Sequence, residues 1–142
     1  MKKLLLATTS PTRKKILSNV GIKFIYKNPL INEEEEKKKL KKIKKPEKIC
    51  QKLAKQKSLV TSLKYSSYFV LGADTCLIYK KKFLSKPKTK EDAKKLLKKL
   101  NGKEHKIYSS LYISKNGKKA WSYNDEAKLK IRKLTNMEIM KY

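Results

Sequence analysis

The chain has 142 residues, with 39 Lys or Arg against 12 Asp or Glu, so its formal net charge is +27. This length, together with 39% apolar residues, suits one domain, residues 1–142, with a single core, and argues against wholesale disorder. No apolar run approaches the roughly 20 residues of a membrane-spanning helix, and the apolar stretch in MKKLLLATTS is too short for a secretory signal.

The first 26 residues predict the strand, helix and strand of an α/β layer structure. Residues 3–8 (KLLLAT) are an apolar run typical of a buried strand. Ser10 and Pro11 are suited to the N-cap and first position of a helix that continues through residues 13–20 and ends at a glycine. Residues 22–26 (IKFIY) predict the second strand.

A highly charged segment and a long helix follow. Asn28-Pro29 and four glutamates followed by lysines predict a mobile loop that passes into a solvated helix. Pro46 begins a helix that continues to about Leu63. Its inward-facing residues are expected to be Ile49, Leu53, Ala54, and Leu59 or Val60.

The second half of the chain predicts strands and short helices. Asn116-Gly117 is a hairpin turn signal between two strands. The predicted strands are residues 68–72, which residues 76–79 either continue or re-pair, and residues 107–114, 119–123 and 127–134, the last with one buried face. The predicted helices are residues 89–100, capped by Thr89 and stopped by Asn101-Gly102, and a final turn opened by a capping box at residues 135–138.

The cysteines and the basic residues bear on compartment and partners. Cys50 and Cys76 lack disulfide or zinc-ligand spacing, which predicts free thiols in a reducing cytoplasm.

All basic residues except Arg13 and Arg132 are lysines, scattered through every segment. The charge is either solvated background, as an AT-rich coding sequence would give, or real affinity for polyanions. It favours an anionic ligand without identifying one.

Two short segments carry the residue types of an anion-binding or catalytic site. Ser10 and Arg13 flank a helix start, where free amides, a hydroxyl and a guanidinium would form an anion cradle. The alternative is an ordinary N-cap with a surface arginine. Asp74, in the GADT segment at the end of the most apolar strand, would hold Mg²⁺ or act as a general base toward water. The alternative is an aspartate in a turn.

Other candidates are not distinguished by local pattern. Lys57 and Lys86 stand beside helix and turn signals, but composition alone cannot separate them from the other lysines. Glu33, the first of four glutamates, is by default a solvated charge. His105 is the only histidine and lacks a nucleophile-elbow partner, which favours a structural role. The P-loop, the GxGxxG fingerprint and zinc-ligand spacings are absent from the sequence.

Six segments in this order resemble the motifs of the Maf family of nucleoside triphosphate pyrophosphatases. The segments are 5–17 (LLATTSPTRKKIL), 31–33 (INE), 53–58 (LAKQKS), 72–75 (GADT), 85–87 (SKP) and 100–109 (LNGKEHKIYS). Individually these motifs are weak, but six in register are specific. The resemblance runs from Lys3 to Tyr142 and implies a Maf/ITPase-like α/β fold: an elongated mixed sheet with flanking helices, and two lobes around a central cleft.

The resemblance implies hydrolysis of a nucleoside triphosphate to a monophosphate and diphosphate, with a divalent metal, Mg²⁺ or Mn²⁺. GADT and His105 favour dTTP and UTP as substrates. Asp74 would accept the proton of the attacking water, or share the metal with Glu33. The residues assigned to substrate binding are Ser10, Arg13, Lys57, Thr75 and Lys86. No specific nucleic-acid partner and no membrane are expected, and a homodimer is possible because family members often form dimers.

Several positions depart from the family pattern. Thr12 replaces the first of the usual arginine pair, Asn32 an aspartate beside Glu33, Ser85 a glycine and Ser109 a threonine. Family members also continue through a Gly-Ala-Tyr-Gly-Ile-Gln-type segment that this sequence lacks. These departures leave a second hypothesis: a catalytically impaired remnant that binds nucleotides or polyanions.

Overall fold

The computed structural model describes residues 3–141, so the ends of the predicted domain, residues 1–2 and 142, lie outside the described part. The helices and strands are, in chain order, β1 (Leu4–Ala7), α1 (Pro11–Asn19), β2 (Ile25–Lys27), α2 (Glu33–Lys39), α3 (Pro46–Lys64), β3 (Phe69–Tyr79), β4 (Lys82–Leu84), α4 (Lys90–Leu100), β5 (Glu104–Lys115), β6 (Lys118–Lys130) and α5 (Asn136–Lys141). Within residues 3–141, no helix has the length and apolar character needed to cross a membrane.

The strands form one mixed sheet with β3 at its centre. The strand order is β2-β1-β3-β5-β6, and β4 pairs with the last three residues of β3. β1 runs parallel to β2 and β3, whereas β3, β4, β5 and β6 form antiparallel pairs. The predicted α/β class, with a mixed sheet and flanking helices, is confirmed.

The first three elements confirm the predicted strand, helix and strand. The Ser10 side chain caps α1 by accepting a hydrogen bond from the backbone N–H of Arg13, and Pro11 occupies the first turn. Gly21 adopts a φ of 77°, which lets the chain turn away at the end of the helix. β2 is shorter than predicted and begins later, because only Ile25–Lys27 pair with β1.

A loop at residues 28–32 leads into α2, which begins at the first glutamate and has no buried residue, so the predicted passage from a loop into a solvated helix is confirmed. Asn32 caps α2, with its Oδ1 accepting a hydrogen bond from the backbone N–H of Glu35 at 3.2 Å. Four glutamates occupy the first turn and three lysines the last turn, a distribution that complements the helix dipole. Glu33 is therefore fixed at the first position of a helix.

The buried face of α3 is made of small and polar side chains more than of large apolar ones. Leu53 and Ala54 are buried as predicted, whereas Ile49, Leu59 and Val60 are only half-buried. The positions that hydrophobic periodicity did not identify are the buried Cys50, Lys57, Ser58, Thr61 and Ser62.

Small side chains let α3 pack unusually close to β3. Ser58 Oγ donates a hydrogen bond to the Val70 carbonyl oxygen at 2.7 Å and shares another with Ser114 Oγ at 2.6 Å. A Cβ atom on Gly72 would clash with the Ala54 carbonyl oxygen and lie 2.7 Å from the Ser58 backbone nitrogen. The absence of a side chain at Gly72 is therefore what allows the helix to lie at this distance.

β3 is one continuous strand of 11 residues, so residues 76–79 continue the strand predicted at 68–72 and do not form a separate one. The GADT segment lies inside the strand, paired with residues 109–112 of β5. Asp74 is thus neither in a turn nor at the carboxyl end of a strand. Alternation along the strand places Asp74 and Thr75 on opposite faces of the sheet.

The hairpin predicted at Asn116-Gly117 is confirmed, and both residues have positive φ, 49° and 77°. β6 is longer than predicted, because it joins the two expected strands 119–123 and 127–134 into one and ends at Lys130. The predicted buried face of the second strand is wrong: β6 is at the sheet edge and Leu129 is 42% exposed.

The two C-terminal helices follow their predicted caps. Thr89 Oγ1 accepts a hydrogen bond from the Asp92 backbone N–H at 3.1 Å at the start of α4. Thr135 and Glu138 form the expected capping box of α5, each side chain accepting from the other's backbone N–H at 3.2 Å. Leu100 of α4 is buried against Tyr79 and Leu84 of the sheet.

Substituting Gly72→Ala is expected to lower the free energy of unfolding by about 3 kcal/mol, since the added methyl forces α3 away from β3. Urea denaturation followed by circular dichroism measures this. The control is Gly21→Asn, whose site has open space and a left-handed backbone that asparagine tolerates, so its cost should stay below about 1 kcal/mol. Equal losses for the two variants would contradict the close packing.

Candidate active site

One edge of β3 lacks a strand neighbour at the GADT segment. On this edge β1 pairs with β3 as far as Gly72, and β4 begins pairing at Leu77. Among the described residues, no strand occupies the interval between them. We call this interval, residues 73–76 of β3, the notch. It gives access to side chains from both faces of the sheet.

On the α3 face of the notch, a buried lysine joins two carboxylates. Lys57 Nζ donates hydrogen bonds to Asp74 Oδ1 at 3.2 Å, to Glu33 Oε1 at 3.2 Å and to the Ala73 carbonyl oxygen at 3.3 Å. Lys57 and Asp74 are buried, whereas Glu33 remains partly accessible. The three contacts use the full donor capacity of the ammonium group and connect α2, α3 and β3.

The two carboxylates have pKa values shifted in opposite directions. Burial raises the pKa of Asp74, and the opposing charges of Lys57 and, more weakly, Arg13 do not cancel this effect. Burial also acts to raise the pKa of Glu33, but Lys57 outweighs it with help from Lys37 and Lys86, so this pKa is lowered. Asp74 is therefore the stronger proton acceptor of the two.

On the opposite face, the start of α1 meets a pair of hydroxyl groups. Arg13 Nη2 donates to Thr75 Oγ1 at 3.5 Å, and Thr75 Oγ1 hydrogen-bonds Ser109 Oγ at 3.3 Å. Ser10 is held at the helix start, because its backbone N–H donates to Thr8 Oγ1 at 3.0 Å. A guanidinium, hydroxyls and a helix N-terminus thus face the notch from this side.

Lys86 approaches the same region from the segment after β4. It lies in residues 85–88, at the rim of a cavity of about 380 Å³ against α4. Its charge contributes to lowering the pKa of Glu33, so it lies within electrostatic reach of the carboxylates. Arg13 and Lys57 thus make direct contacts at the notch, and Lys86 adds a positive charge at longer range.

Hydrogen bonds connect five of the predicted site residues at the notch: Arg13, Glu33, Lys57, Asp74 and Thr75. Ser10 caps the helix that carries Arg13, and Lys86 acts on Glu33 only through its charge. Two participants were missed as site residues, Thr8 and Ser109. Ser109 is the cross-strand neighbour of Thr75, a relation set by the β3–β5 register and invisible in a local motif. The only available signal was its place at the end of the sixth motif.

The thiol of Cys50 hydrogen-bonds the backbone of Asp74. Cys50 Sγ donates to the Asp74 carbonyl oxygen at 3.2 Å, and both cysteines are free and buried. A hydrogen bond with Cys76, together with burial, raises the pKa of the Cys50 thiol, which keeps it protonated as a donor. The predicted free thiols are confirmed, and one of them supports the site.

The site offers a divalent cation two carboxylates. Within residues 3–141 no group of three or more His, Cys, Asp or Glu side chains is arranged to hold a metal. Glu33 and Asp74 lie on either side of Lys57, and their oxygens are the hard ligands that Mg²⁺ prefers. Mg²⁺ is commonly held by one or two carboxylates together with phosphate oxygens of a substrate. The donor set fits a metal that arrives with a phosphorylated ligand.

The fold and the site together define the class of this protein. It is an α/β protein with a mixed sheet and a charged notch suited to a phosphorylated ligand. The sequence profile of one family, described as "Maf-like protein", matches residues 3–142. The chain belongs to the Maf family, and the resemblance of the six motifs is confirmed.

Named relatives agree with this assignment. A "Nucleoside triphosphate pyrophosphatase" of Pelagibacter ubique is 37% identical, with all of this chain and 73% of the relative covered. A "dTTP/UTP pyrophosphatase" of Geobacillus is 34% identical over all of this chain and 73% of the relative, and one of Aquifex aeolicus is 36% identical over 99% and 70%. Among solved structures, the Staphylococcus aureus Ham1 protein matches with a TM-score of 0.56 at 14% identity, covering 89% of this chain and 70% of that one. This last match bears on the fold alone.

Substituting Lys57→Met is expected to raise the pKa of Asp74 further, because the ammonium that opposes protonation is removed. The pKa of Glu33 should rise as well. Carboxyl ¹³C NMR titration in metal-free buffer measures both. Lys55→Met, an exposed substitution two residues away with the same charge change, is the control and should leave both values in place. Equal shifts in both variants would contradict the direct contact.

Proposed function

We propose that this protein is a nucleoside triphosphate pyrophosphatase that cleaves between the α and β phosphates, releasing a nucleoside monophosphate and diphosphate. The observation that carries the proposal is the notch, where Arg13 and Lys57 make direct contacts and a buried carboxylate has a raised pKa. Relatives that are 37% and 34% identical, matched over all of this chain and 73% of their own length, are named as pyrophosphatases of nucleoside triphosphates.

The triphosphate is bound by the groups on the open side of the notch. The guanidinium of Arg13 offers forked donors to phosphate oxygens, and the start of α1 at Ser10 adds backbone amides. Thr75 shares a hydrogen bond with Arg13 and orients it. Lys86 reaches the phosphates from the segment after β4 as a flexible point charge.

Hydrolysis requires a proton acceptor for water and stabilisation of the leaving group. Water adds to the α-phosphorus and loses its proton to Asp74, whose raised pKa makes it an effective base. The bond to the bridging oxygen breaks, and the electron pair leaves with diphosphate. Lys57 and Arg13 stabilise the negative charge that develops in this step. Lys57 also holds Asp74 in place at 3.2 Å.

A divalent cation, Mg²⁺ or Mn²⁺, is part of the proposal. Asp74 and Glu33 would hold it together with phosphate oxygens, and when bound it supplies charge neutralisation on the triphosphate. The carboxylate of Glu33 suits this role, because its lowered pKa keeps it ionised over a wide pH range.

The substrate, compartment and assembly form the finer part of the proposal. We take dTTP and UTP as the preferred substrates, following the names of the Geobacillus and Aquifex relatives. Two free, buried cysteines suit the reducing cytoplasm. A homodimer is the proposed assembly, and the exposed, stacked Trp121 and Tyr123 of β6 offer one surface for it. No observation favours the alternative of an impaired remnant.

Substituting Asp74→Asn is expected to reduce kcat by about 10²-fold or more, since the amide cannot accept the proton. Diphosphate release from dTTP in the presence of Mg²⁺ or Mn²⁺ measures this. The matched control is Glu91→Gln, an exposed carboxylate on α4, which should retain full activity. Undiminished hydrolysis by Asp74→Asn, or no conversion of any triphosphate to monophosphate by the parent protein, would refute the mechanism.

A panel of canonical and modified nucleoside triphosphates is expected to show at least tenfold higher kcat/KM for dTTP and UTP than for purine triphosphates, a difference of about 1.4 kcal/mol. Quantifying monophosphate and diphosphate by chromatography confirms the position of cleavage. A flat profile would reject the pyrimidine preference while leaving the pyrophosphatase assignment intact. Release of single phosphate would reject the assignment itself.

A further inference from the structure

A second, larger cavity lies away from the notch. It has a volume of about 920 Å³ and forms where the start of α3 meets the β3–β4 turn and the beginning of β5. Seven of its lining residues are lysines and two are glutamates, Glu47 and Glu104. None of the residues assigned to the notch lines it. The cavity is therefore a separate feature with a strongly positive wall.

Most of this positive charge is uncompensated. Lys106 is paired, at 2.9 Å with Glu47 and at 3.1 Å with Glu126. The other six lysines form no ion pair in the described part of the chain. At the start of α3, Lys45 occupies the N-cap position without a side-chain capping hydrogen bond, so the positive end of the helix adds to the same field.

A buried histidine with an unpartnered nitrogen lines the same cavity. His105 is only 8% exposed, and its Nδ1 has no hydrogen-bond partner among the described residues. Buried polar atoms almost always have a partner, and an unmade hydrogen bond is costly. The Nδ1 atom itself is enclosed by protein, so a ligand in the cavity lies beside the ring and not on this nitrogen. His105 therefore serves as a reporter of occupancy, and the lysines carry the argument for a ligand.

Two of the lysines sit where the backbone disfavours them. Lys80 and Lys81 are the central residues of the two-residue turn between β3 and β4, with φ values of 50° and 64°. Turns of this type favour Asn-Gly, because ordinary side chains are strained at positive φ. The chain thus holds two ammonium groups at the cavity rim in spite of backbone strain.

We propose that this cavity binds a linear oligophosphate, of which tripolyphosphate and diphosphate are the simplest examples. The cavity is too large for a single phosphate, and its lysines come from the start of α3, the β3–β4 turn, β5 and β6, so several separate charges are available to one ligand. Its described lining residues include no phenylalanine, tyrosine or tryptophan on which a nucleobase could stack; the one aromatic ring is the buried imidazole of His105. The ligand class is therefore a phosphate chain without a base. This inference stands independently of the proposed hydrolysis.

The single histidine makes a site-specific test available. The protein, prepared without a polyhistidine tag, has one His Hε1 NMR signal, that of His105. Titration with tripolyphosphate is expected to shift this signal saturably. In Lys80→Asn/Lys81→Gly the apparent Kd should rise about tenfold, since two unit charges leave the rim. Because this double substitution restores a favourable turn, its thermal stability should equal or exceed that of the parent, which excludes unfolding as the cause.

The matched control is Lys94→Gln/Lys98→Gln on α4, which removes the same charge away from the cavity and should change Kd less than twofold. An unmoved His105 signal, or equal weakening by both double variants, would overturn the proposal. An RNA oligonucleotide of equal charge that shifts the signal at lower concentration than tripolyphosphate would also overturn it, in favour of a nucleic-acid surface. None of these readouts depends on triphosphate hydrolysis, so the two proposals fail separately.

Discussion

The ammonium group of Lys57 is the contact on which the site depends. It reaches the carboxylates of Asp74 and Glu33 and a main-chain oxygen of β3, so one buried cation joins a short acidic helix, a long helix and the central strand. A buried charge is tolerated only when it is paired and hydrogen-bonded. The pairing therefore serves two purposes: it makes burial of Asp74 affordable, and it leaves Asp74 basic enough to accept a proton.

That contact requires α3 to lie very close to the sheet, and the packing beneath it explains how. Gly72 removes the side chain that would hold the helix away, and Ser58 replaces apolar bulk with hydrogen bonds to the strand backbone and to Ser114. The glycine of the GADT segment thus has a packing role, while the aspartate two residues later has a chemical one. The spacing couples them, since alternate residues of a strand share a face.

Local signals in the sequence sufficed for the elements that local physics determines. Caps at Ser10, Thr89 and Thr135 and the turn at Asn116-Gly117 were predicted because they depend on neighbouring residues. Pairing between distant strands was not predictable in this way. The continuity of β3, the exposed β6 and the hydrogen bond between Thr75 and Ser109 follow from sheet register, which no local pattern encodes. The family motifs identified the site residues in the sequence, and the structure identified their neighbours Thr8 and Ser109.

The notch has a consequence for self-association. An unpaired strand edge is a template on which another chain can add a strand, and proteins protect such edges by keeping them short or charged. Here the open edge spans only residues 73–76, recessed between β1 and β4, with Arg13 beside it. An edge of four residues, bounded on both sides by paired strands, gives a foreign strand few backbone groups to pair with. The interruption in strand pairing at the site is therefore short enough to discourage aggregation.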